Sequence, residues 1–106
     1  MNEELIEQLK YPIGKFVPKE NYNPQILQQL IDDIANFPSL LYKITENISD
    51  NQLDTPYRPE GWTIRQLIHH CSDSHINAYV RLKLALTEEN PNIKPYFEDR
   101  WADLID

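Results

Sequence analysis

Apolar positions recur at helical spacing in two long stretches of the chain. In the first, Ile26, Leu27, Leu30, Ile31 and Ile34 share a face, and Phe37, Leu40, Leu41, Ile44 and Ile48 continue it. Asn23 is a good N-cap, and Pro24 follows at the first helical position, where its missing N–H costs nothing. Pro38 interrupts the run by removing one backbone hydrogen bond and crowding the preceding turn. The pattern predicts one long kinked helix over 23–47.

The second stretch begins at Thr63, with Gln66 three residues on, a capping-box spacing. Ile64, Leu67, Ile68, Cys71, Ala78, Tyr79, Leu82 and Leu86 then form one stripe, and Asn90-Pro91 closes the run. A second long helix is predicted over 63–87, with Trp62 placed to staple its start onto the core. Between the two, Ser49-Asp50-Asn51-Gln52 has the form of another capping box, opening a very short helix that ends by Asp54, and 55–61 reads as loop.

Residues 1–22 hold Tyr11-Pro12-Ile13-Gly14 and Val17-Pro18, which predict an extended N-terminal arm carrying aromatic residues, with at most a short helix over Glu3 to Leu9. A last helical pattern, Phe97, Trp101, Leu104 and Ile105, predicts a short C-terminal helix over 95–105. The fold class is all-α. Two long amphipathic helices with broad apolar faces make an incomplete core, so 1–106 reads as a single partial domain whose stripes need partners. Either two chains associate or the natural protein continues past Asp106.

Composition agrees and adds exclusions. Only two glycines occur in 106 residues, and Asn-Gly or Asp-Gly hairpin turns are absent, which argues against an all-β fold. The formal net charge is −7, with basic residues scattered. That disfavours nucleic acid and anionic membrane surfaces, which draw affinity from clustered Lys and Arg. A lone cysteine, Cys71, excludes an intrachain disulfide and a CxxC motif, and its place on the apolar stripe suits a buried structural thiol. The first residues lack a signal-peptide pattern and no apolar run reaches membrane-spanning length, so a cytoplasmic location is expected.

The three histidines, His69, His70 and His75, all fall on the second long helix. Adjacent residues of a helix point about 100° apart, so this spacing cannot chelate a metal by itself; an HxxxH pair would. On a helical projection His75 lies at the centre of the apolar stripe, as a hydrogen-bonded core imidazole. His69 points away to solvent. His70 lies on the flank, with Gln66, Ser74, Asn77 and Arg81 at turn spacing. Polar side chains bordering an apolar face are where a helical bundle builds a site. From spacing alone, that row is either a solvated helix edge or part of a metal and substrate site.

Several segments together carry a family resemblance. Tyr11-Pro12-Ile13-Gly14-Lys15-Phe16, Gln52-Leu53-Asp54-Thr55-Pro56-Tyr57-Arg58, Gly61-Trp62-Thr63-Ile64-Arg65-Gln66, His69-His70 and Asp73-Ser74-His75 resemble the YfiT branch of the DinB superfamily. Arg81-Leu82-Lys83-Leu84-Ala85-Leu86-Thr87-Glu88-Glu89 and Ile93-Lys94-Pro95-Tyr96 resemble it as well. The resemblance implies a DinB-like four-helix bundle, of which this chain supplies roughly the first two long helices plus the N-terminal arm. It also implies a divalent metal, zinc or nickel, on three histidines, one of them at the position of His70 and two from an HxxxH pair on the last helix. That last pair has no counterpart here, so the chain resembles the N-terminal part of such a protein.

The activity implied is that of a metal-dependent hydrolase acting on a small-molecule substrate, in a protein that is often a homodimer. Gln66, Ser74, Asn77 and Arg81 would then line the substrate pocket, with Arg81 suited to an anionic group. Two other readings stand beside it: a thiol S-transferase of the bacillithiol type on the same metal site, and a non-catalytic helical self-association module.

Overall fold

Local capping chemistry sets where the three longer helices begin. The computed structural model describes residues 2–106 and contains five helices: α1 (Glu3–Lys10), α2 (Pro24–Thr45), α3 (Asp50–Leu53), α4 (Ile64–Thr87) and α5 (Glu98–Ala102). Asn2, Asn23 and Thr63 sit in extended backbone before α1, α2 and α4. Each side chain accepts a hydrogen bond from an otherwise unpaired N–H of the first turn, at 2.8, 2.8 and 3.1 Å. The chain folds as two units, the first through Asp50 and the second from Asn51.

In the first unit the arm is partly helical. Met1 lies outside the described residues, and α1 occupies Glu3–Lys10 of the segment expected to be mostly extended. Tyr11 ends α1, and Gly14, at φ 85°, makes the turn that follows, its N–H donating to the Tyr11 carbonyl at 3.0 Å. α2 runs continuously through Pro38, where the ring nitrogen cannot donate to the Ile34 carbonyl. Thr45 closes that helix by donating its hydroxyl back to the Leu41 carbonyl at 2.7 Å.

In the second unit the segment before α4 folds back on that helix. The Ile64 N–H donates to the Thr55 carbonyl at 3.1 Å and the Tyr57 N–H to the Trp62 carbonyl at 3.0 Å. Pro56 and Thr63 form an isolated antiparallel bridge. Arg65 pairs with Asp54 at 2.8 Å. At Gly61 an added Cβ would lie 2.5 Å from Cγ of Arg58, so this close return requires glycine. α5 is shorter than the expected 95–105: Phe97 precedes it with no side-chain cap, and only five residues are helical. α4 and α5 pack together, and Ala102 is buried between them and their surroundings.

The apolar stripes are largely open. Leu27, Leu30, Ile31 and Ile34 on α2, and Tyr79, Leu82 and Leu86 on α4, are all exposed. No helix among the described residues is long and apolar enough to cross a membrane.

Candidate functional site

The capping box at the start of α4 fixes the register of everything downstream on that helix. The Thr63 hydroxyl accepts from the Gln66 N–H, and the Gln66 side-chain oxygen accepts from the Thr63 N–H at 3.0 Å. One turn further on, His70 packs against Trp62 with ring centroids 4.8 Å apart and planes tilted by 49°. The indole that the pattern assigned to stapling the helix start therefore braces an imidazole. Nδ1 of His70 is buried and has no hydrogen-bond partner. A buried polar atom left in that state costs about 1–3 kcal/mol.

Beyond His70 the polar flank is a docking face. At one end the Gln66 amide donates to the Ala102 carbonyl at 3.1 Å and to Oδ1 of Asp103 at 3.3 Å. At the other end a guanidinium N–H of Arg81 donates to the Lys94 carbonyl at 3.2 Å, and the same group lies 6.0 Å from the centre of the Tyr96 ring. From Gln66 to Arg81 is about 22 Å of helix axis. The strap between Lys94 and Asp103 runs along it, 94–97 forming no regular element before α5 begins. It runs antiparallel to α4 along the row that carries His70.

Each predicted site residue can be placed on that arrangement. Gln66 has both ends of its amide taken up by the cap and the strap. Ser74 and Asn77 are half-buried, and the Asn77 amide donates to the Asp73 carbonyl one turn back at 2.8 Å. Arg81 anchors the strap. The strap's own residues, Lys94, Tyr96 and Trp101, are site-lining groups that the helical pattern missed. Their signal was faint: an aromatic cluster after Pro95, read only as the start of a last helix.

Two histidine expectations need correction. His75, assigned to the core, is exposed, because the apolar stripe it centres on is not covered in the second half of α4. His69, assigned to solvent, is half-buried, because all residues from Gly61 to Cys71 are partly covered where the preceding segment folds back. Cys71 is half-buried, and burial pushes its thiol above the usual range, which fits a structural thiol better than a nucleophile.

Among the described residues no group of three or more His, Cys, Asp or Glu is placed to hold a metal ion. Of the three imidazoles, His70 is the one packed on Trp62 with a buried nitrogen lacking a hydrogen-bond partner. The described residues therefore fit a metal at His70 alone and do not form a complete site.

The DinB superfamily model matches residues 34–106, which covers α3, α4, α5 and part of α2. The chain belongs to the DinB superfamily. It is 50% identical over 98 residues to proteins from Bacillus cereus (strain B4264) and Bacillus anthracis (strain A0248), each named "Putative metal-dependent hydrolase". Those alignments cover 92% of this chain and 57% of each relative. A solved structure, YfiT from Bacillus subtilis, superposes with a TM-score of 0.89 at 46% identity over 93% of this chain and 57% of that one. It is described as a "probable metal-dependent hydrolase with an unusual four-helix bundle topology". The fold is accordingly that of the DinB-like four-helix bundle, and the chain spans a little over half the length of the relatives it matches.

Proposed function

We propose that this chain is the His70-bearing part of a metal-dependent hydrolase of the YfiT type, contributing one of three histidine ligands to a zinc or nickel site. The observation that carries the reading is the buried, unpartnered Nδ1 of His70, held in place by Trp62 on the polar flank of α4. Metal-ligating histidines are held by neighbours that fix ring orientation, and Trp62 supplies that constraint through packing. The names of the relatives give independent support for metal dependence in this family.

A divalent metal on three neutral imidazoles supplies an open position for water and lowers the pKa of that water toward neutrality. This chain's own contribution is to orient and enclose. Trp62 fixes the His70 ring, Gln66 and Arg81 hold the strap along the row, and Ser74 and Asn77 lie between, where a small-molecule substrate would be bordered.

Equilibrium dialysis of the protein against zinc or nickel, with bound metal quantified by mass spectrometry, tests the assignment. Because a single imidazole holds a metal weakly, the expected result is weak uptake at high metal concentration that is diminished in His70→Ala and kept in His69→Ala and His75→Ala. Equal uptake by His70→Ala and the unmodified protein would remove His70 from the ligand set.

A further inference from the structure

Between the strap and the distal half of α4 lies a cavity of about 200 Å³, lined by Asn77, Lys94, Pro95, Tyr96, Phe97 and Trp101. Tyr96 and Trp101 form its aromatic wall, with ring centroids 4.8 Å apart and planes tilted by 58°. An apolar cavity of about 150 Å³ is enough to take up benzene, so this one matches a single ring with a short substituent. Its size is below the range of roughly 300–1,000 Å³ found for drug-sized ligands.

The charge around it is opposite in sign to that of the chain. The protein carries 17 acidic and 10 basic residues, yet Lys94 is the only charged residue among the six that line this cavity. Arg81 stands over Tyr96 at 6.0 Å, so the aromatic wall is backed by one more cation, and Arg100 lies over Phe97 at 4.4 Å on the adjoining cleft. The acidic neighbours Glu98 and Asp99 line an adjoining cleft with Tyr96, Phe97 and Arg100. Lys94 is fixed through its backbone carbonyl, which accepts from Arg81, while its ammonium has no ion-pair partner among the described residues.

We infer that this cavity binds a single aromatic ring bearing an anionic substituent, the ring against Tyr96 and Trp101 and the anion at Lys94. The inference deepens the proposed function and rests on it only in naming the ligand as substrate: the cavity lies on the same face of α4 as His70, about 10 Å along the axis at Asn77. Binding itself needs no metal. That keeps the two readings separable.

The probe is phenylacetate, with acetate and 2-phenylethylamine as controls, titrated into a Trp62→Phe variant in which Trp101 is the one remaining tryptophan. The expected result is a saturable change in Trp101 fluorescence with phenylacetate, at a dissociation constant on the order of 1 mM or below. Acetate should give no saturable change, the amine should bind at least tenfold more weakly, and Lys94→Ala should weaken phenylacetate about tenfold. His70→Ala should leave phenylacetate binding intact while diminishing metal uptake, so failure of one reading is distinct from failure of the other. The inference is overturned if phenylacetate gives no saturable signal, if the amine binds as well, or if Lys94→Ala binds phenylacetate undiminished. A repeat in the unmodified protein, following the Lys94 and Trp101 resonances by NMR, guards against any disturbance from the Trp62 substitution.

Discussion

The two sides of α4 differ in a way that reverses the usual expectation. Past Cys71 the half-buried residues are Asp73, Ser74, Asn77, Arg81 and Leu84, a mostly polar row. The apolar stripe on the other side, with Tyr79, Leu82 and Leu86, is exposed. The strap covers the polar side because it is held by directional bonds from Gln66 and Arg81 rather than by apolar burial. An apolar stripe left open and a polar row covered is the pattern of a bundle segment whose own chain completes the site face first.

The contrast can be broken most directly at Trp62. Trp62→Ala removes the brace on His70 at the start of the covered face. Full truncation of a core tryptophan costs about 3–5 kcal/mol, and a half-buried one should cost roughly 2–3 kcal/mol, read from urea unfolding midpoints at constant slope. Gln66→Ala removes the reciprocal half of the capping box and both strap bonds, an expected loss of about 1–2 kcal/mol. Hydrogen exchange in α5 and Asp103 should speed up in that variant, whereas exchange in α1 should not change.

The open side should respond far less. Leu86 is 76% exposed, so Leu86→Gln should stay within about 0.5 kcal/mol of the unmodified protein. A loss comparable to that of Gln66→Ala would mean the stripe is covered in solution. The smallest effect belongs to Cys71, where burial raises the thiol pKa from its ordinary value of 9.0. The thiolate is disfavoured in the folded chain, so this group's stabilising contribution is complete below the unfolded pKa and is lost as pH rises through the folded one. Iodoacetamide should label Cys71 more slowly than a small free thiol at pH 8–9, with its pH profile displaced upward; labelling at the free-thiol rate would contradict half-burial.

Much of the fold was legible because local chemistry dictates it. Asn23-Pro24 and Thr63 with Gln66 mark helix starts through hydrogen bonds that depend on a few adjacent residues. The family was legible from combined segments such as Trp62-Thr63 followed by His69-His70. Burial was less so. The projection that put His75 in the core assumed that an apolar stripe is covered, which holds only when the covering element is present. The strap could not be read from periodicity, since 94–97 form no regular element and the strap is placed by bonds to residues far away in sequence. Nor does spacing reveal that the Gln66 amide, besides capping α4, tethers the strap at Ala102 and Asp103.

The central claim is that His70, unlike its two neighbours, is the histidine this chain offers to a metal. Nickel titration followed through the imidazole resonances of His69, His70 and His75 tests it most directly. The account predicts that the His70 resonances broaden first and at the lowest nickel concentration. It is contradicted if exposed His75 or half-buried His69 responds before His70, or if all three respond alike.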